Sequence, residues 1–468
     1  MARDRSGDPT ETRTRRDGAG LVNRRALTAA MVDSRDVNRR ARQRALVVGV
    51  VADGDGEERD QLAEMKELLR TGGIATAGEL IQRRDRPDPD RYLGRGKIDE
   101  LKREIERCDA NLVATDDELA PRQERNLEKA LGVPVVDRTA VILDIFADHA
   151  HTAEGKLQVE LAQLEYNLAR LRGLWTHLDA LAGGFGGGGG ARVATRGPGE
   201  AQIEVDRRLA RDRISALRRR LSRTEENRAV MRARRQSAAL PTIALAGYTN
   251  AGKSTLMNAL TGADVAVGER LFHTLDPTTR AFEHEGRRFL LTDTVGFIRK
   301  LPHQLVEAFK ATLEETVLSD LLLHVIDGSR GEEEIARATE AVESVLAEIG
   351  AGDEPRLVVL NKIDLLSDEE RRELRIAHRG AILVSAASGE GLDALRAAIA
   401  AAIRERLVPV DLLVPYSAGD RLSELHEVAG DLERDDRADG VHVRALLPPA
   451  AAERFARFAD NGDGAAPG

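Results

Sequence analysis

The chain has 468 residues, 42% of them hydrophobic and 32% charged, enough for two to four domains with separate cores. No apolar run reaches the roughly 18 residues that would cross a bilayer, and the Arg-bearing start "MARDRSGDPTETRTRRDG" has no apolar stretch behind it, so no membrane insertion and no secretory signal are read. Cys108 stands alone, which excludes an intrachain disulfide and a cysteine-cluster metal site; a net charge of −9 excludes a uniformly cationic nucleic-acid binder and leaves a cytoplasmic protein with local charge contrasts.

Residues 1–44 are polar and Arg-rich and are expected to form a flexible arm. From 45 to 150, apolar runs such as "ALVVGVV", "ANLVATDD" and "VPVVDRT" alternate with helical spacing, which predicts a small N-terminal α/β domain. Residues 151–238 hold two seams of helical period. Leu157, Leu161, Leu164, Leu168 and Leu171 make one; Ile203, Ala210, Ile214, Leu217 and Leu221 make the other. With "GGFGGGGGARVATRGPGE" between them, they predict an antiparallel helical hairpin with a Gly-rich tip. The second helix also carries Arg207, Arg208, Arg211, Arg213, Arg218, Arg219, Arg220 and Arg223. Arg192 and Arg196 extend that charge into the loop, and Phe185 or Arg196 offers a surface for stacking on a base. Such a one-signed excess suits a phosphate backbone, so Arg192, Arg196, Arg207, Arg208 and Arg211 are the RNA-contact candidates. Residues 239–406 return to an α/β pattern, 407–460 suggest a small α+β domain, and 461–468 are a Gly/Ala/Pro tail.

The chemistry concentrates in 239–406. "GYTNAGKS", between the apolar strand "TIALA" and the helix "TLMNAL", fits the phosphate-loop pattern in the context that gives it meaning. Gly247 and Gly252 allow the tight turn, Lys253 offers a point charge to the β- and γ-phosphates, and the Ser254 hydroxyl suits Mg²⁺. In "LVVLNKID", Asn361, Lys362 and Asp364 end a buried strand. A carboxylate there accepts from guanine N1–H and the 2-amino group, which adenine cannot offer. "LVSAASGEGL" adds Ser385, Ala386 and Ala387, where a main-chain amide can meet guanine O6. In "FHTLDPTTR", Thr274 is the first candidate to close on Mg²⁺ and the γ-phosphate, with Thr278 and Thr279, turn residues after Pro277, as the alternatives. In "LLTDTVGF", Asp293 would support the metal shell and the Gly296 amide would sense the γ-phosphate. The catalytic candidates are therefore Lys253, Thr274, Asp293 and Gly296. Ser254 and Thr274 are the metal candidates. The guanine-nucleotide contacts add Tyr248, Thr249, Asn250, Ala251, Phe272, His273, Leu275, Asp276, Thr294, Val295 and Ile363. Phe297 stands where many P-loop GTPases keep a water-orienting glutamine, which predicts slow hydrolysis until a partner docks. Asn250 could hold K⁺ beside the phosphates, as a second cation after Mg²⁺.

"LGRGKIDEL", "DDELAPRQERNLEKALGVPVVDRTAVILDIF", "EGKLQVELAQLEY", "RGPGEAQIEVDRR", "GYTNAGKST", "FHTLDPTTR" and "DTVGFIRKLPHQLVEAFKATLEE" cover most of residues 45–330. On these motifs the chain resembles the HflX family of ribosome-associated GTPases. It departs from the family pattern at His273, at Ala201 and in the longer glycine run. The resemblance implies a P-loop GTPase domain preceded by the α/β domain and the hairpin, all three engaging the large ribosomal subunit and its RNA. It implies GTP hydrolysis stimulated by the ribosome, the splitting or rescue of ribosomes under stress, Mg²⁺ on Ser254 and Thr274, and an apolar residue after "DTVG". Off the ribosome a monomer is expected. Two rival readings are an ATP-dependent RNA-remodelling activity in the N-terminal domain, drawing on Gly94, Gly96 and Lys97, and a GTP-gated ribosome assembly scaffold that splits nothing.

Overall fold

A computed structural model describes residues 43–52, 62–182, 198–237, 240–263, 271–272, 274–302, 305–306, 309, 313, 316–352, 354–429 and 432–460. The first unit runs β1 (Arg44–Val51), α1 (Ala63–Thr71), β2 (Ala75–Arg83), α2 (Arg95–Arg107), β3 (Leu112–Thr115), α3 (Pro121–Leu131), β4 (Val135–Asp137) and α4 (Arg138–His149). Its four strands are parallel in the order β2-β1-β3-β4. The β-branched run of β1 is buried on both faces, as a central parallel strand requires. Asp137 ends β4 and caps α4, its side chain accepting from Ala140 N at 2.9 Å.

Two long helices follow, α5 (Ala153–Ala182) and α6 (Pro198–Ser237). Leu157, Leu161, Leu164 and Leu168 of α5 pack on Ile214, Leu217 and Leu221 of α6. Arg213–Glu160 and Arg218–Glu165 ion pairs, each at 2.7 Å, flank this seam. Each pair joins equivalent flanking positions, as in an antiparallel pair of helices. Arg213 and Arg218 stay exposed while pairing with Glu160 and Glu165 of α5, so part of the arginine charge is offset. Arg208, Arg211, Arg219, Arg220 and Arg223 are exposed and Arg207 is half-buried. The side chains of Leu171 and Ile203 lie outside the described residues, as do Arg192, Arg196 and Phe185.

The third unit comprises β5 (Thr242–Gly247), α7 (Lys253–Thr261), β6 (Thr278–His284), β7 (Arg287–Asp293), β8 (Leu321–Asp327), α8 (Glu332–Glu348), β9 (Arg356–Asn361), α9 (Asp368–Ala377), β10 (Ile382–Leu383) and α10 (Leu392–Arg404). Its sheet has the order β10-β9-β8-β5-β7-β6, parallel except for the β6–β7 pair. A final antiparallel sheet, β11 (Val408–Val414), β13 (Gly440–Leu447) and β12 (Leu432–Arg437), is covered by α11 (Gly419–Ala429) and α12 (Pro449–Phe455). Among the described residues, no helix is long and apolar enough to cross a membrane.

One apolar cluster crosses the units. Met65, Leu68, Ile142 and Phe146 of the N-terminal unit and Val159 and Ala162 of α5 share it with Phe272, Leu275, Val295, Ile298 and Phe309 from the third unit. The Phe146 ring meets Phe272 edge-on at 4.7 Å and Phe309 at 4.9 Å. Burial of this size stabilises by about 25 cal/mol per Å² of apolar surface, so this contact fixes the units relative to one another.

β8 carries one polar side chain into the core. His324 is 1% exposed, and its Nε2 has no hydrogen-bond partner among the described residues. Burial, with Arg356 and Lys253 adding to it, lowers its pKa from the ordinary 6.5 to about 4. The unfolded chain therefore binds the extra proton between those values, so stability falls as pH drops from 6.5 to 4, by about 3 kcal/mol. Urea midpoints at pH 7 and 4.5 should show that loss in the native chain and less of it in His324→Leu. An equal loss in both would refute the assignment.

Candidate nucleotide site

The turn from β5 to α7 is shaped by two glycines. A Cβ on Gly247 would lie 2.1 Å from the Val325 carbonyl of the adjacent strand. Gly252 has φ of +91°, and a Cβ there would fall 2.3 Å from Asn361 Nδ2. The Lys253 ammonium is buried and donates to the carbonyls of Gly247 at 3.1 Å and Tyr248 at 2.9 Å. Burial lowers its pKa to about 8, with the Asp293 carboxylate working against that shift.

Three oxygen-bearing side chains from separate segments converge beside Lys253. Ser254 Oγ donates to Asp293 Oδ2 at 2.6 Å and lies 2.9 Å from Thr274 Oγ1. Burial raises the Asp293 pKa, while Lys253, Ser254 and Thr274 pull it back. Asp293 Oδ1 is buried and has no hydrogen-bond partner among the described residues. An orphaned carboxylate oxygen beside two hydroxyls is a donor set suited to a hard divalent cation. Gly296 lies against this corner, since a Cβ there would be 2.9 Å from Lys253 Nζ and 2.9 Å from Thr249 Cγ2.

Several residues expected at the nucleotide do other work. Asn361 Nδ2 donates to Ala251 O at 2.9 Å and its Oδ1 accepts from Ala386 N at 3.0 Å, so it braces the phosphate loop against the 385–387 loop. The amides of Ser385 and Ala386 are therefore both engaged, the former with Glu390 O at 2.9 Å. Ala387 N is the amide of that loop without a hydrogen bond among the described residues. Lys362 pairs with Asp327 at 2.8 Å. Asp364 accepts from Ser385 Oγ at 2.6 Å through one oxygen, and its other oxygen makes no bond among the described residues. The Phe272, Leu275 and Val295 side chains lie in the shared apolar cluster, and Ile363 is also buried. Thr294 Oγ1 donates to Leu245 O at 2.6 Å. The Asp276 carboxylate turns to the start of α5. Asn250 is exposed, with φ of +61°. His273 lies outside the described residues.

Phe297 is 1% exposed and packs on Ala244, Ala246, Val306, Leu313 and Leu322, with its ring in the core. Its backbone is bound to the phosphate loop: Thr249 N donates to Phe297 O at 2.7 Å and Phe297 N donates to Gly247 O at 3.1 Å.

The N-terminal unit grips the same segment, which sequence reasoning missed. Arg138, 1% exposed, donates to Asp116 Oδ1 at 2.8 Å, Glu64 Oε2 at 2.5 Å and the Arg299 carbonyl at 2.7 Å. Tyr248 of the phosphate loop donates its hydroxyl proton to Glu64 and accepts from Arg299 N at 2.8 Å. Burial first, and Glu64 second, push the Tyr248 hydroxyl far above its ordinary range. Lys300 reaches Asp116 at 3.2 Å and also Asp117. The signal in the sequence was charge at the ends of apolar runs, "VATDD" and "VVDR", where ionised groups survive burial by pairing. By contrast, Lys97 pairs with Glu100 at 3.0 Å and Gly94 N donates to Gln82 Oε1 at 2.9 Å, an ordinary helix start.

Residues 59–147 match the family model for the GTP-binding GTPase N-terminal domain, 149–235 that for the GTP-binding GTPase middle region, and 242–362 that for the 50S ribosome-binding GTPase. The GTPase HflX of Caldanaerobacter subterraneus subsp. tengcongensis is 46% identical over 420 residues, covering 90% of this chain and 94% of that protein. The chain belongs to the HflX family of GTPases. The Escherichia coli GTPase HflX is 41% identical, over 86% of this chain and 94% of its own length. Among solved structures, a GTP-binding protein from the archaeon Sulfolobus solfataricus in complex with GDP is similar, at 26% identity and a TM-score of 0.38, over 78% of this chain and 99% of that one. As an HflX GTPase, the chain binds GTP and hydrolyses it.

Proposed function

We propose that this HflX chain is a cytoplasmic factor that binds the large ribosomal subunit and its RNA in a GTP-dependent way and splits or rescues ribosomes under stress. The observation that carries the reading is the exposed arginine face of α6, on a hairpin whose base packs against the segments that meet the nucleotide. Its family's third domain model, the 50S ribosome-binding GTPase, supports the choice of host.

At the site, Lys253 places charge on the β- and γ-phosphates, and Ser254 and Thr274 hold Mg²⁺ with Asp293 behind them. When bound, Mg²⁺ neutralises charge on the phosphate oxygens. The Gly296 amide meets the γ-phosphate. Asp364 accepts from the guanine edge, and Ala387 N replaces Ser385 and Ala386 as the donor to O6. Phe297 can neither take nor give a proton, so hydrolysis is slow until the ribosome completes the site. Asn250 holds K⁺ beside the phosphates; equal rates in potassium and sodium would remove that assignment.

Sedimentation of intact ribosomes with the chain and GTP, a non-hydrolysable analogue or GDP tests the function. Separation into subunits with the triphosphates and not with GDP is expected, together with faster hydrolysis on the large subunit. Tight triphosphate-dependent binding without separation would favour a scaffold instead. ATP remodelling has little support, since Lys97 is paired and the "GRGKID" segment opens a plain helix.

A further inference from the structure

Asp276 lies two residues beyond Thr274, yet its carboxylate serves a different element. Its Oδ2 accepts from His151 N at 3.1 Å and from Thr152 N at 2.8 Å, and its Oδ1 accepts from the Thr152 hydroxyl. That hydroxyl in turn accepts from Gly155 N at 2.9 Å. The α5 helix begins at Ala153, so Thr152 N and Gly155 N are among the donors that a helix start leaves without partners, and His151 N lies just before them. The aligned peptide dipoles of a long helix also favour an anion at this end. Gly155 makes the approach feasible, because a Cβ there would lie 2.4 Å from Asp276 Oδ1.

The rest of α5 cannot absorb a shift at its start. Val159, Ala162 and Tyr166 are buried in the shared apolar cluster. Further along, Arg170 stacks on the Tyr166 ring at 3.3 Å and pairs with Glu124 at 2.8 Å and Asp137 at 2.5 Å. On the other side, Phe272 and Leu275 anchor the segment that carries Thr274. The hairpin base and the Thr274 segment therefore share one capping carboxylate.

We propose that Asp276 is a positioning residue for GTP hydrolysis, tying Thr274 to the base of the hairpin so that switch closure and α5 posture form one equilibrium. This rests on the reading of Thr274 as the residue that closes on the Mg²⁺ side. When Thr274 moves toward the nucleotide, Asp276 must either draw the start of α5 with it or release His151 and Thr152. Coupling of this kind is reciprocal, so whatever grips the hairpin also biases Thr274. A capping contact is worth about a fivefold shift in an equilibrium, which sets the scale.

The test is hydrogen exchange of residues 150–160 in the full chain, with Mg²⁺ and either GDP or a non-hydrolysable GTP analogue. The native chain should show exchange that differs between the two nucleotides. Asp276→Ala should exchange equally in both, and Thr152→Val, which keeps the two amide contacts, should retain part of the difference. The stimulation of kcat by the large subunit should fall about fivefold in Asp276→Ala, on the capping scale, with the KM for GTP moving less. No difference in the native chain, or a full difference in Asp276→Ala, overturns the proposal. Thr274→Ala separates the underlying reading: if Mg²⁺-dependent GTP affinity survives it, the role of Thr274 is wrong, whatever the exchange shows.

Discussion

Replacing Arg138 by methionine is expected to destabilise the chain by about 3–5 kcal/mol. The guanidinium is 1% exposed, and its two carboxylate partners, Glu64 and Asp116, have side chains only 16% and 5% exposed. Methionine fills much of the volume but leaves both carboxylates without their main counter-charge. Lys300 and Arg299 can repay part of this, since they lie 3.2 Å and 3.7 Å from Asp116. The Arg299 carbonyl also loses its donor, so the segment after Gly296 is freed at the same time. Urea unfolding monitored in both the N-terminal and the GTPase units gives the measurement. A midpoint within error of the native value would show that the network contributes nothing net. The triple substitution Arg138→Met, Glu64→Gln and Asp116→Asn should recover part of the loss, because it removes the stranded charges as well.

Lys253→Ala should lower GTP hydrolysis by about a hundred- to a thousandfold, the usual cost of removing one preorganised donor from developing phosphoryl charge. The nitrogen is held between two loop carbonyls and the side chain is buried. A pH series gives an independent reading. With the pKa of the free protein near 8, the ammonium is present below that value and is lost above it. The profile of kcat/KM, which reports the free enzyme, should therefore decline as pH rises past about 8. Retention of native activity in Lys253→Ala, or a profile flat to pH 10, would place the charge elsewhere.

The parts of the site legible in the sequence were those set by local backbone. "GYTNAGKS" needs only a strand, a turn and a helix start, and the loop indeed places Lys253 and Ser254 at the first turn of α7. Asp293 and Thr274 were legible because each sits at the end of a recognisable segment, and Ser254 lies within hydrogen-bond distance of both. Hydrogen-bond partners far along the chain were not legible. Asn361 engages the Ala386 amide from 25 positions away, which moves the free amide to Ala387. Asp276 was grouped with the nucleotide for its nearness to Thr274, while its partners lie 124 and 125 positions earlier. Arg213 and Arg218 belong to the same run as the exposed arginines, and only the seam of α5 shows that they flank it. The Glu64–Arg138–Tyr248 network joins residues up to 184 positions apart, so no window along the sequence contains it.

The apolar cluster that Phe272, Leu275, Val295, Ile298 and Phe309 share with α1, α4 and α5 bears on how the catalytic unit can be handled in isolation. Cutting the chain ahead of β5 would strip the lid from five large side chains and leave the Arg299 carbonyl facing water. A fragment with such a greasy flank would self-associate, and its turnover would report on a misdocked switch. The nucleotide-handling half of this molecule is therefore no detachable cassette: its architecture makes α1, α4 and α5 part of its own wall.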